Sequence, residues 1–368
     1  MTQERLSRLE AQMQAHRLDA LALNPGSSLV YLTGLQFHLM ERPYVFLLRK
    51  GLQPALIFAE LEKLKANEST IPLQPFTYSD NPESWQAAFN QAITALQLNG
   101  TPIGVESTHM RFLELSYLQK AANSSSFVSA DEVLNGLRIC KDQSEKEKIQ
   151  KAIRIAEKAL LATLPMIKPS ITELEIASEL TIQLLNAGSD SALPFQPIVS
   201  SGPNSANPHA VPSDRKLQIG DMLVIDWGAA YSGYISDLTR TFAIGKTDPE
   251  FVKIAQIVAN ANIAARKLAK LGELSGNVDI AAREVIEKAG YGEYFTHRTG
   301  HGIGMESHEP PYIFKENTLK LQKGMCFTVE PGIYLPGRGG VRIEDNVIVT
   351  DTGIETLSNL PRELQILG

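Results

Sequence analysis

Cysteine is scarce, with two among 368 residues. Cys140 and Cys326 lie far from any C-x-x-C spacing, so no disulfide framework is in prospect and both read as reduced thiols of a reducing compartment. No stretch approaches the roughly 18 consecutive apolar residues of a membrane span, and residues 1–10 carry no apolar run of the signal-peptide kind. The expected location is the cytoplasm. Basic clusters are missing too. Thirty-five Lys and Arg stand against 41 Asp and Glu, a net charge of −6, which disfavours nucleic-acid binding through a basic face. What remains is a composition 43% hydrophobic and 21% charged, that of a soluble globular chain long enough to bury its own core. At about 150 residues per domain the length predicts two domains or three.

Residues 1–135 alternate between helical and strand patterns. Leu6, Leu9, Met13 and Leu18 recur at a rough helical spacing, and the run Ala20–Leu23 stops at the breaker Asn24-Pro25. Tyr44–Leu48 and Ala55–Phe58 flank a turn at Gly51 and read as paired strands; Ile103–Val105 reads as another. This interleaving predicts an α/β domain.

A charged helical segment near residue 142 marks the boundary. Two capping boxes overlap, Asp142-x-x-Glu145 and Ser144-x-x-Glu147, and either can open the helix that Ile149, Ile153, Ala156 and Leu160 continue and that ends before Pro165. Thr172-x-x-Glu175 opens the next, which stops near Gly188. Asp248 ahead of Pro249 starts a third, to about Leu271, and Asn277 is expected to cap a fourth that ends at Gly290. Strand-rich stretches cover 193–201, 221–243, 294–305 and 324–350. Residues 142–368 therefore predict an α+β domain, a curved antiparallel sheet covered by two helix pairs, whose element order repeats without repeated residues.

Five metal-type ligands fall on these strands. Asp226 ends the apolar strand Met222–Ile225, where an acid has no packing reason to be. Asp237 follows a reversal at Tyr231-Ser232-Gly233, which makes the two acids opposite or diagonal neighbours on one face. Carboxylates that close repel unless a proton or a cation intervenes. The pattern recurs: Glu330 follows Phe327–Val329, Glu344 follows Val341–Ile343, and the glycine-rich loop between them centres a hairpin on Gly337. His301, flanked by Gly300 and Gly302, allows close backbone approach and presents an imidazole to a cleft. Two Asp, two Glu and one His match two divalent cations in charge. Without thiolate they suit Mn²⁺, Co²⁺, Zn²⁺ or Fe²⁺ and two-metal hydrolysis, with Mn²⁺ first among these.

His209, in a polar loop rich in breakers, and His308, seven residues past His301, frame this set and suit an oxyanion or a substrate carbonyl. Arg342 either joins them or neutralises nearby acids in an ion pair. His297 and Thr299 share the His301 face, and His297 is expected to support the ligands or to pack there, not to ligate. Trp227 and Cys326 read as core; His16, His38 and His109 have no partners in sequence.

In eight stretches the chain resembles the pita-bread metallopeptidases, the family of methionine aminopeptidase, prolidase and Xaa-Pro aminopeptidase. The stretches are Pro194–Pro203, Asn207–Ala210, Val224–Ala229, Ser236–Thr241, Gly300–Gly304, Ser307–Glu309, Val329–Gly332 and Val341–Asp345. The resemblance is to the Xaa-Pro branch, with residues 1–135 similar to its creatinase-like N-terminal domain and 142–368 to its catalytic domain. It implies that Asp226, Asp237, His301, Glu330 and Glu344 ligate two metals, with Asp237 and Glu344 bridging them. It further implies that Glu330 handles a proton, that His209, His308 and Arg342 bind substrate and the tetrahedral intermediate, and that the protein is a homodimer.

The resemblance implies peptidase action at an N-terminal Xaa-Pro bond. A metal-free creatinase-like amidinohydrolase would have replaced the ligands, and a non-catalytic binding protein would have lost them; all five stand. Many prolidases hold the dipeptide carboxylate with an Arg in a His-Glu-x-Pro-Arg run, whereas here the run is His308-Glu-Pro-Pro-Tyr312. A tyrosine cannot supply that bidentate contact. The expectation is therefore an Xaa-Pro aminopeptidase, with Xaa-Pro dipeptidase (prolidase) as the alternative.

Overall fold

The structure, a computed structural model, describes residues 2–368. It contains two compact units, one ending at Arg138 and one running from Ile139 to Gly368.

The first unit is built on six strands: β1 Ala20–Leu23, β2 Val45–Arg49, β3 Ala55–Ala59, β4 Gln74–Tyr78, β5 Ile103–Val105 and β6 Phe127–Ser129. They are ordered β4-β3-β2-β1-β5-β6, with β2 antiparallel to both its neighbours and the other pairs parallel. Val45, Leu47, Ile57, Trp85 and Phe89 lie in its core. The continuous apolar runs follow from burial of this sheet.

The second unit carries β7 Ile198–Ser201, β8 Met222–Trp227, β9 Ala230–Tyr231, β10 Tyr234–Ile235, β11 Leu238–Ile244, β12 Gly300–Gly302, β13 Glu309–Ile313, β14 Cys326–Val329, β15 Gly332–Leu335, β16 Gly339–Arg342, β17 Asp345–Thr350, β18 Gly353–Thr356 and β19 Gln365–Leu367. One sheet is ordered β19-β11-β8-β7 and another β13-β12-β14-β17-β18, while β9-β10 and β15-β16 form ribbons. Helices Gln143–Thr163 and Glu173–Asn186 pack as a pair, as do Pro249–Leu268 and Ser275–Lys288. The first pair shares a core with β8 and β11, through Ile153, Leu180, Leu223 and Trp227. The second shares one with β14 to β17, through Ile254, Val258, Phe327 and Val347. Each pair thus buries its apolar stripe against one half of the strands.

Asp142 and Thr172 both close reciprocal capping boxes. Two details depart from the sequence reading. Asn277 is not a cap: the helix begins at Ser275, because its first amides donate to the segment beyond it, Ser275 N to Leu319 O and Gly276 N to Asn317 O. A first turn satisfied this way needs no side-chain cap. The sheets are also not wholly antiparallel, since the last strand β19 joins the edge of β11 in parallel. No helix among the described residues is long and apolar enough to cross a membrane.

Candidate metal centre

The reversal between β8 and β11 is the two-residue turn Ser232-Gly233, with φ of 50° and 76°. Positive φ at both positions is what a tight hairpin of matching twist requires. The register that follows pairs Asp226 with Thr239, and extends to place Asp237 diagonal to Asp226 on the same face. Asp237 lies just outside the ladder, held by Asn346, whose Oδ1 accepts from its N–H at 3.1 Å and whose amide donates to its carbonyl at 2.5 Å.

In the second hairpin Gly332 pairs with Arg342 and Leu335 with Gly339, about a loop whose centre, Gly337, has φ of 72°. Extended outward, that register sets Glu330 opposite Glu344. Neither glutamate is in a ladder. Glu330-Pro331 separates β14 from β15, and Ile343-Glu344 separates β16 from β17, where the chain passes between sheets. The two halves join here: Glu344 N donates to Thr239 O at 3.1 Å, and Thr239 Oγ1 donates to a Glu344 carboxylate oxygen at 2.7 Å.

His301 sits on β12, opposite Tyr312 of β13. Its glycine neighbours are necessary: a Cβ at position 300 would collide with Thr328 O, and one at position 302 with Pro310 O. Its Nδ1 bonds Gly302 O at 3.1 Å, so Nδ1 carries the proton and Nε2 is left with a lone pair. That Nε2 lies 3.3 Å from Glu330 Oε1 and 3.7 Å from Asp237 Oδ2. Asp237, His301 and Glu344 each offer a ligand atom, all within 4.8 Å of one another.

The electrostatics of this cluster are unfavourable as it stands. Burial, compounded by Glu344, Asp226 and Glu330, holds Asp237 well above the ordinary carboxylate range. Burial and then Glu330 and Asp226 do the same to Glu344. Glu330 is pushed up to about 7 by burial, against the pull of Arg342. Burial likewise raises Asp226, opposed by Arg342, and depresses His301 so that it stays neutral. Asp226 Oδ1 is buried and makes no hydrogen bond. Crowded carboxylates, an orphaned carboxylate oxygen and a neutral imidazole with a free Nε2 fit divalent cations, which would relieve the repulsion and take up those lone pairs.

The acids open on a cavity of about 410 Å³ walled by Phe195, Ile198, Pro208, His209, Arg298 and His308, among others. The rings of His301 and His308 meet edge-on, 4.0 Å between centroids. His308 and His209 are exposed at the mouth. Arg342 is buried and ion-paired, its NH2 2.6 Å from Asp226 Oδ2, and its NH1 donates to Tyr334 Oη at 3.0 Å. His297 Nδ1 must donate to Arg298 O, at 2.7 Å, because a carbonyl only accepts. Its Nε2 therefore accepts from Tyr334 Oη at 2.9 Å, and one directional chain runs Arg342 to Tyr334 to His297 to the Arg298 carbonyl. Trp227 and Cys326 are core, Trp227 Nε1 donating to Ala156 O at 2.9 Å.

Sequence reading gave no role to Thr239, Thr328, Tyr334, Asn346 or Arg298. Tyr334 was within reach: the register centred on Gly337 sets it opposite Gly340 and diagonal to Arg342. Thr328, whose Oγ1 accepts from His301 N at 3.0 Å and donates to Glu330 Oε1 at 3.1 Å, had no such signal, because its contact with His301 joins separate strands.

Residues 147–351 match the family model described as metallopeptidase family M24, and residues 5–140 match the creatinase/prolidase N-terminal domain. The chain is 34% identical over 364 residues to the Xaa-Pro dipeptidase of Pyrococcus horikoshii, spanning 98% of each. It is similar to a crystal structure of a dipeptidase from Pyrococcus horikoshii, with a TM-score of 0.93 at 37% identity over 99% of this chain and 100% of that one. An X-Pro aminopeptidase structure from Thermotoga maritima gives a TM-score of 0.85 at 33% identity, over 98% and 99% respectively. The architecture is a creatinase-like N-terminal domain and a C-terminal pita-bread domain.

Proposed function

The chain belongs to metallopeptidase family M24, and from that premise we propose that it is an Xaa-Pro dipeptidase. The observation that carries the reading is the convergence of four carboxylates, Asp237 and Glu344 buried and Asp226 and Glu330 partly so, and one neutral imidazole on a single cavity of about 410 Å³, a size that suits a small peptide. Tyr312 leads the sequence to expect an aminopeptidase. The similar proteins with dipeptidase names favour the alternative, and the aminopeptidase expectation gives way to it.

In this reading Asp226, Asp237, His301, Glu330 and Glu344 would hold two divalent cations, Mn²⁺ first. When bound, the cations supply Lewis acidity that activates water and polarises the scissile carbonyl. Glu330 takes the proton from the attacking water and passes it towards the leaving imino nitrogen of proline. His308 and His209, at the mouth, donate to the developing oxyanion and hold the substrate carbonyl. Arg342 keeps Asp226 oriented through their 2.6 Å ion pair. Phe195, Ile198 and Pro208 offer an apolar wall to the pyrrolidine ring. The division into a creatinase-like domain over 1–135 and a catalytic domain over 142–368, a homodimer and a cytoplasmic location belong to the same reading, on the family resemblance.

The test is kcat/KM for Ala-Pro against Ala-Pro-Ala after exhaustive chelation and reconstitution with Mn²⁺ or Co²⁺. Activity that appears only with metal and favours the dipeptide is expected. Full activity without metal, checked by elemental analysis, rejects the cation reading; preference for the tripeptide restores the aminopeptidase.

A further inference from the structure

A dipeptidase must recognise a carboxylate next to proline, and Tyr312 occupies the place where many prolidases carry the arginine that does so. Two guanidinium groups line the cavity, those of Arg298 and Arg342. Arg342 is committed: it serves Asp226, Tyr334, Thr239 and the carbonyl of Pro208. Arg298 is not. Among the described residues its side chain makes no ion pair and no hydrogen bond. Its guanidinium instead rests on the ring of Tyr312, with Cζ 4.4 Å from the centroid. We infer that Arg298, braced on Tyr312, is the carboxylate clamp of this enzyme, and that the pair replaces the missing arginine; the inference rests on the dipeptidase reading above.

The backbone around Arg298 is fixed on both sides. Ahead of it, Arg283 donates to Phe295 O and to His297 O, each at 2.9 Å. Behind it, Thr299 donates to Asp279 Oδ1 from its N–H at 3.0 Å and from its hydroxyl at 2.7 Å. Its own carbonyl ends the directional chain that starts at Arg342. The carbonyls of Phe295, His297 and Arg298 and both donors of Thr299 are therefore engaged, whereas the five N–H donors of the Arg298 guanidinium are not. Tyr312 is the cross-strand partner of His301, so the ring that braces Arg298 lies on the face that carries the metal-site imidazole. A planar cation on an aromatic face keeps its edge donors free for a fork-shaped contact with a carboxylate. The tyrosine thus serves recognition as a platform, which its chemistry allows, and not as a donor of charge, which it forbids.

The experiment uses the Mn²⁺-loaded full-length enzyme with Ala-Pro and with Ala-Pro amide, which lacks the carboxylate. The wild type should prefer the acid. In Arg298→Gln the ratio of kcat/KM for acid over amide should fall roughly 10- to 100-fold, the scale of one charged hydrogen-bonded contact. Arg298→Lys should recover part of it, keeping the charge without the fork. Tyr312→Phe should hold the ratio and Tyr312→Leu should lower it. A ratio unchanged in Arg298→Gln, or equal losses on both substrates, overturns the clamp. Competition by proline against prolinamide in the wild type gives a second readout that needs no variant to fold: equal inhibition by the two also overturns it. Failure of the underlying reading looks different. If the wild type prefers Ala-Pro-Ala to Ala-Pro while Arg298→Gln still collapses the acid-to-amide ratio, the dipeptidase reading falls and the clamp stands.

Discussion

Glu344 and Asp345 are adjacent in sequence and equally hidden, 1% and 0% exposed, yet their surroundings drive them in opposite directions. Burial alone would raise both. Around Asp345 it is overcome: Arg240 NH2 lies at 2.9 Å, Arg362 Nε at 2.7 Å, Arg266 Nε at 3.7 Å, and Ser358 donates at 2.8 Å. Its carboxyl is held below the ordinary range. Glu344 has one hydroxyl, that of Thr239, and faces other carboxylates; it is held well above that range. Asp345 is an acid the protein itself has neutralised. Glu344 belongs to a set of four acids for which the chain provides one close countercharge, Arg342 on Asp226, and this contrast, more than the count of acids, marks the candidate metal site.

Exchanging each acid for its amide breaks the comparison most sharply. Glu344→Gln, like Asp237→Asn, should abolish turnover and bound metal while leaving the melting temperature of chelated protein unchanged or raised, because a repelling charge is gone. Asp345→Asn should do the reverse. It strands the buried Arg240 guanidinium, 4% exposed, and should cost about 3–5 kcal/mol of stability while the folded fraction keeps its metal. Elemental analysis and thermal melts on the same preparations decide it; an Asp345→Asn protein that is stable but metal-free would invert the assignment.

A smaller effect tests the outer ring of the site. His308→Ala should leave metal content intact and lower kcat by roughly 10²–10³, the loss usual for one oxyanion donor. The ring of His308 lies against that of His301, so loss of metal in this variant would mean that His308 orients the ligand instead of serving the substrate.

The sequence carried the helix caps at Asp142, Thr172 and Asp248, the strand pairs and both hairpins, because turn chemistry and period-two alternation are local. Ser232-Gly233 and Gly337 fix which residues face each other, and from that the convergence of Asp226 with Asp237 and of Glu330 with Glu344 was legible. The sheet switches at Glu330-Pro331 and Ile343-Glu344 were not, since nothing local distinguishes a strand that continues from one that changes partners. The countercharges were hidden for the same reason. Asp345 finds Arg240 only across elements far apart in the chain, and although Arg342 was expected to neutralise nearby acids, its partner Asp226 is fixed in the same way. Arg298 escaped notice because its significance lies in what it does not contact.

The smallest expected effect sharpens the contrast through pH. A carboxyl whose folded pKa lies above its unfolded value keeps its proton in the native state after the unfolded chain has lost one, so stability falls as pH rises between the two values. For Glu330 the window runs from 4.5 to about 7, and Asp237 and Glu344 act in the same direction. Asp345 is the opposite case. Its contribution is complete above 3.8 and is lost only as pH falls through its lowered folded value, so it gives no slope in the window where Glu330 does. Chelated protein should therefore lose a few degrees of melting temperature between about pH 5 and pH 7. Saturating Mn²⁺ should reverse the slope, because cation binding requires the deprotonated ligands and strengthens as pH rises. Melts at pH 5, 6 and 7, with chelator and with Mn²⁺, measure both. Parallel curves would mean that the four carboxylates are already compensated within the fold, as Asp345 is, and that the cation has nothing left to neutralise.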